Sequence, residues 1–128
     1  MWQVDFSALK KPGEYKIAVD GEVNRRFLLR AVGPGLAAPP FNIPGALSNP
    51  RLTLFRGSEI LSANDNWSDT ANADEIARIA TAVGAFPLAA GSADAALLID
   101  LAPGAYTIHA AGVDGATGVA VVEVYEVQ

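Results

Sequence analysis

Two corners near opposite ends of the chain constrain its fold more than any other feature. The first reads Leu9-Lys10-Lys11-Pro12-Gly13-Glu14-Tyr15, and the second reads Leu101-Ala102-Pro103-Gly104-Ala105-Tyr106. Each sets Pro-Gly ahead of a Tyr that opens an alternating segment, and each segment runs on to an Asp-Gly pair, Asp20-Gly21 or Asp114-Gly115. Proline fixes φ and glycine accepts positive φ, so the chain turns sharply at both places. The tyrosine then starts the next strand, its ring directed into a core and its hydroxyl within reach of backbone at the corner. That is the tyrosine corner of β-sandwich domains.

The hydropathy pattern extends this reading. Trp2, Val4 and Phe6 alternate ahead of the first corner, and Tyr15, Ile17 and Val19 alternate after it. Phe27 to Val32 and Val119 to Tyr125 are nearly unbroken apolar runs, which predicts central strands covered on both faces. Residues 51–55 and 59–63 flank the hairpin signal Arg56-Gly57-Ser58. Further strands are expected at Phe86 and Leu88, over 95–101 and over 106–110. Between Gly33 and Pro50 lie five Pro and three Gly, a long turn-rich connection. One helix is expected over 72–83, where Ile76, Ile79, Ala80 and Val83 form a single stripe. Asn72 and Glu75 resemble a capping pair at its start, and Gly84 supplies its stop. The expectation is one domain over 1–128: an all-β sandwich, jelly-roll-like, with about eight strands and one short helix.

Composition excludes more than it selects. Of 128 residues, 51% are hydrophobic, enough for a substantial core, and only 18% are charged. The net charge of −5 argues against nucleic acid and anionic membrane surfaces, which favour Lys/Arg clusters. No apolar run is long enough to span a membrane, so membrane insertion is not expected. The chain has no Cys, which removes thiol chemistry and thiolate metal sites. The first residues lack the basic and apolar segments of a secretion signal, and Met is found only at position 1. This fits a module taken from a longer chain.

Several segments in order resemble a known kind of module. They are Leu28-Leu29-Arg30-Ala31-Val32-Gly33-Pro34-Gly35, Asn49-Pro50-Arg51-Leu52-Thr53-Leu54-Phe55, Ala63-Asn64-Asp65-Asn66-Trp67, Val83-Gly84-Ala85-Phe86-Pro87-Leu88, Pro103-Gly104-Ala105-Tyr106-Thr107 and Thr117-Gly118-Val119-Ala120-Val121-Val122-Glu123-Val124-Tyr125. Together they look like a module near the C-termini of large secreted or surface proteins of environmental bacteria. It is distantly similar to the bacterial pre-peptidase C-terminal domain, a small β-sandwich appended to secreted hydrolases. The opening, Trp2-Gln3-Val4-Asp5-Phe6-Ser7-Ala8-Leu9 through Pro12-Gly13-Glu14-Tyr15, resembles the start of the immunoglobulin-like domain of family 9 cellulases. These resemblances imply a secreted or cell-surface accessory module of a multidomain protein. In the family, some members bind calcium or polymeric substrates, and no catalytic residue carries over.

Candidate sites follow from residue chemistry. His109 is the only His, and no nucleophile elbow accompanies it, so a Ser-His-Asp arrangement is not indicated. No Asp or Glu sits in a motif that marks a glycosidase acid or base, and the expectation is a protein that is not an enzyme. The doublets Lys10-Lys11 and Arg25-Arg26 read as solvated protection of strand edges. The loop Asn64-Asp65-Asn66-Trp67-Ser68-Asp69 combines a large ring with hydrogen-bonding neighbours, the composition of a sugar-stacking platform. Polysaccharide is therefore the expected ligand, with Trp67, Asn64 and Asn66 as binding residues and Phe41 extending the surface. Trp67 as a core plug is the competing reading. The same loop offers Asp65 and Asp69 as metal ligands, and calcium, which takes about six to eight oxygens, is the candidate cofactor. An Asx-turn loop whose side chains bond local backbone is the alternative. A structural or anchoring module stabilised by calcium is the second functional reading.

Overall fold

The alternating segments become strands with one face on the core, and the continuous apolar runs become strands covered on both faces. The computed structural model describes residues 9–10 and 13–127. Among them the strands are β1 (Leu9–Lys10), β2 (Gly13–Val19), β3 (Arg25–Val32), β4 (Pro50–Arg56), β5 (Glu59–Asn64), β6 (Ala95–Leu101), β7 (Gly104–Gly112) and β8 (Ala120–Val127). A single helical turn, α1 (Pro34–Ala37), opens the β3–β4 connection, and α2 (Ala73–Val83) lies in the β5–β6 connection. The expected strand at Trp2–Phe6 falls outside the described residues.

Strand pairing makes this an all-β sandwich of the jelly-roll kind. β1 pairs with β8, β2 with β7, β3 with β6 and β4 with β5, all antiparallel, as in a long hairpin ribbon that has been rolled up. The β3–β8 and β4–β7 ladders then close two four-stranded sheets, one ordered β1-β8-β3-β6 and the other β2-β7-β4-β5. The two apolar runs, β3 and β8, are the interior strands of the first sheet. The registers bring the end of β3, the start of β4, the end of β5, the start of β6, the end of β7 and the start of β8 to one end of the roll. All the long connections (33–49, 65–94 and 113–119) leave from that end, and the opposite end carries short turns.

Packing has three layers. Between the sheets lie Ile17, Val19, Phe27, Leu29, Leu52, Leu54, Leu97, Tyr106, Ile108, Val122 and Val124. Tyr106 forms the expected corner: its hydroxyl donates to the carbonyl of Ala102 at 2.6 Å while its ring is buried. Tyr15 packs half-buried against the same core. The third layer covers the outer face of the first sheet. There Ile76, Ile79, Ala80 and Val83 of α2 pack on Leu28, Ala96 and Tyr125, with Trp67 among them. Leu36, Ile43, Phe86 and Val119 cover Val32 and Val121 beside it.

Three local expectations are corrected. Phe86 and Leu88 are not in a strand: Pro87 between them has no N–H for a ladder, and both side chains cap the outer layer instead. Asn72 makes no side-chain cap, and Glu75 is turned outward to accept from Arg26 at 2.6 Å. Gly84 does end the helix in the left-handed region, φ 82°, with its N–H directed at the carbonyls of Ala80 and Thr81. Arg25 and Arg26 do not guard an edge. They open the interior strand β3 and pair with Glu126 at 3.0 Å and with Glu75.

Two substitutions check this account. Tyr106→Phe keeps the ring and loses the corner hydrogen bond, so a loss of about 1 kcal/mol is expected from urea unfolding. Gly33→Ala is expected to cost about 3 kcal/mol or more, because overpacking against backbone has no easy relief. A Cβ there would lie 2.0 Å from the Leu47 carbonyl oxygen. A Gly33→Ala protein that melts like the parent would show that the 33–49 connection is not held against β3 in this way.

Candidate functional site

The Asn64–Asp69 loop spends its polar groups on its own surroundings. Asn64 ends β5, and its Oδ1 accepts from the Ala96 N–H at 3.0 Å, tying the two sheets together at their edge strands. Its Nδ2 donates to the Asn66 carbonyl at 3.3 Å, and the Asn66 Nδ2 donates to Asp65 Oδ1 at 3.2 Å. The Asp69 N–H closes the turn on the Asn66 carbonyl at 3.1 Å. This is the local, Asx-type bonding weighed against a cation site. Asp65 and Asp69 join no group of three or more His, Asp or Glu among the described residues.

Trp67 faces inward. It is 6% exposed and packs with Leu28, Ile76, Ala80 and Tyr125 beneath α2. Its indole N–H donates to the Ala89 carbonyl at 3.1 Å and to Ser92 Oγ at 3.2 Å, so the polar handle of a buried indole is satisfied as well. Buried to this extent, Trp67 packs as the core plug and is not an exposed platform. Phe41, 42% exposed, belongs to a different place: its ring packs on Phe86 at 5.0 Å between centroids, over the outer layer. The structure therefore brings Asn64, Asp65 and Asn66 together, turns Trp67 away from them and groups Phe41 with Phe86.

A buried polar cluster that sequence reasoning missed lies under that layer. Arg30 of β3 stands directly across from Glu123 of β8, with Nε 2.9 Å from Oε1, and Arg30 has no exposed surface. Its Nη1 donates to the Phe86 carbonyl at 2.8 Å, and the Phe86 ring stacks 4.5 Å from the guanidinium carbon. The Tyr125 hydroxyl donates to Glu123 Oε2 at 2.9 Å. Burial lowers the Arg30 pKa, and the Glu123 charge opposes that shift. Asp94, equally buried, accepts from the Gly33 and Gly35 amides at 2.8 and 3.1 Å through Oδ1 and from Ser92 Oγ at 2.8 Å through Oδ2. The available signal was a single charge of opposite sign in each of two otherwise apolar runs, Arg30 within Phe27–Val32 and Glu123 within Val119–Tyr125.

The second sheet has no covering layer of helix among the described residues, and its outer face is a surface in its own right. Register aligns Glu14, His109, Thr53 and Ala63 in one row across β2, β7, β4 and β5. Lys16, Thr107, Phe55 and Ile60 form the next row. Neighbouring strands are about 4.8 Å apart, so each row is a close-set comb. Its β2–β7 half carries charge, imidazole and hydroxyl, while its β4–β5 half carries Phe55 and Ile60, the latter 61% exposed.

Two stability measurements separate the roles assigned here. Trp67→Ala is expected to cost about 3–5 kcal/mol, as for a core indole. Arg30→Met strands the Glu123 carboxylate and is expected to cost about 3–5 kcal/mol. Adding Glu123→Gln, which removes the stranded charge and keeps an oxygen for Tyr125, is expected to recover about 1 kcal/mol or more of that loss. Additive effects in that double variant would show that the two charges are not coupled. No family model matches this chain, and no curated protein or solved structure matches it either, so the chemistry of these surfaces is the ground for a functional reading.

Proposed function

We propose that the protein is a non-catalytic accessory module of an extracellular bacterial multidomain protein, and that it binds polysaccharide across the bare face of the β2-β7-β4-β5 sheet. The observation that supports this reading is the asymmetry of the sandwich: one sheet is sealed by α2 and the long connections, and among the described residues no helix covers the other, whose outer face carries two mixed rows. Sugar rings present apolar C–H faces and polar hydroxyl edges. Phe55 and Ile60 suit the first, while Lys16, Thr107, His109 and Glu14 suit the second. Side chains on paired strands are already fixed in direction, which lowers the ordering cost of binding. The row Glu14–His109–Thr53 lines up an acid, an imidazole and a hydroxyl, but the strand N–H groups around it belong to the ladders. Oxyanion stabilisation needs donors aimed at the reacting atom, and a flat ladder supplies none.

A structural or anchoring role with bound calcium is the second reading. It draws on Asp65 and Asp69, whose carboxylates sit on one closed turn. A ligand held only by the native state would raise the melting temperature.

Retention on insoluble cellulose, xylan, chitin and mannan, run with calcium and with EDTA, tests both. Retention on one polymer is expected, with Phe55→Ala and His109→Ala each weakening it about tenfold, a loss of about 1.4 kcal/mol. Trp67→Phe should leave it unchanged. Retention that ignores both face variants would remove the sheet from the reading. Absence of retention on every polymer, with a melting temperature raised by calcium, would replace it with the structural role.

A further inference from the structure

A cleft of about 690 Å³ opens where the bare sheet face reaches the end of β7. Side chains alternate along a strand, so the outward positions of β7 run Ala105, Thr107, His109 and Ala111, and the last two line the cleft. Gly112, Ala116, Thr117 and Val119 line it from the end of β7 and from the 113–119 connection. Its size falls within the range of about 300–1,000 Å³ that small-ligand sites occupy.

The wall of the cleft is tied to the roll. The Val113 N–H donates to the Asn49 carbonyl at 2.9 Å, and the Val119 N–H donates to the Gly45 carbonyl at 2.9 Å. A Cβ on Gly112 would lie 2.0 Å from the Ala116 carbonyl oxygen, and one on Gly118 would lie 2.7 Å from the Leu47 Cα. Glycine at these two positions lets the connection lie close against its neighbours, and the cleft exists before anything enters it.

The lining decides what fits. Ala111, Ala116 and Val119 offer methyl groups, and Gly112 offers bare backbone. Among the described residues, His109 and Thr117 are the two polar side chains that line the cleft, and no Asp, Glu, Lys or Arg lines it. A charged group would lie there without a counter-charge. A fully hydroxylated sugar ring would take more polar atoms out of water than those two side chains can pair. A neutral group with a methyl end and one acceptor oxygen matches both properties of the lining. The acetyl group is a common sugar substituent of that kind, held either as an amide or as an ester.

We propose that this cleft receives the acetyl group of a sugar unit, so that the polymer on the adjoining sheet face is an acetylated polysaccharide. The inference rests on the sheet-face reading and names which polysaccharides that face takes.

Nuclear magnetic resonance titration of the intact chain with matched soluble ligands tests this. Chitin and cellulose oligosaccharides of equal length differ by the acetamido group, and acetylated and deacetylated xylan oligosaccharides differ by the ester. Binding about tenfold tighter for the acetylated member of at least one pair is expected, with saturable amide shifts at Gly112, Ala116 and Thr117. A preference confined to the first pair assigns the amide, and one confined to the second assigns the ester. Ala111→Leu and Ala116→Leu each fill the cleft from one wall, and each is expected to abolish the preference. Ala116 is exposed, so the second variant is expected to melt close to the parent. Phe55→Ala is expected to weaken both members of a pair alike. Equal affinities within both pairs, with Phe55→Ala weakening all of them, would overturn the acetyl site and leave the sheet-face reading standing. A preference that survives both leucine variants would overturn it as well. No binding of any ligand would remove the sheet-face reading and this inference together.

Discussion

Asp94 ties down two of the three long connections of this roll. Its Oδ1 gathers the amides of Gly33 and Gly35, where the 33–49 connection leaves β3. Its Oδ2 takes Ser92, and its own carbonyl accepts the Trp67 N–H at 2.9 Å, which anchors both ends of the 65–94 connection. A buried carboxylate is costly unless it is satisfied, and here both oxygens are occupied by donors from two different segments. The carboxylate and backbone carbonyl of Asp94 together help convert two long excursions, each with a large ordering entropy, into a fixed outer layer.

That layer explains the composition. A two-layer sandwich leaves one face of each sheet to water, and strands then alternate apolar with polar. β3 and β8 do not alternate, because α2, Trp67 and Phe86 cover their outer face as completely as the second sheet covers their inner one. β2 and β7, open on one side, keep the alternation, and that is where Glu14, Lys16, Thr107 and His109 appear. The low share of charged residues and the two-faced character of the molecule have the same origin.

What could be read from the sequence was local, or was repeated along a strand. The Tyr106 corner needs only its own turn, and the helix stripe needs only its period. The continuous runs of β3 and β8 announce burial on both faces whichever element does the burying. The direction of Trp67 was not readable, because polar neighbours are equally compatible with a sugar platform and with a turn that bonds its own backbone. The answer depended on α2 packing back over the sheet. Arg30 and Glu123 lie 93 positions apart and meet only through the β3–β8 register, so each looked like an isolated charge. Asp94 gave no signal at all, since its partners are backbone amides in a distant connection. Phe86 and Leu88 mimicked a strand period across a proline that cannot take part in a ladder.

The open sheet carries a hazard that its edge strand manages. β5 is the outermost strand of that sheet among the described elements, and Ile60 and Leu61 are exposed on it, a combination that invites pairing with another strand. Its register against β4 shifts between Leu54 and Phe55. A bulge at that point bends the edge and interrupts the regular row of hydrogen-bonding groups that a second strand would need. The same irregularity sits beside Phe55 and Ile60, so the apolar half of the face stays accessible while the edge beside it is a poor template for sheet extension. The proposed polysaccharide face would have to stay open to an extended ligand and closed to another strand, and the bulge separates those two demands with backbone geometry alone.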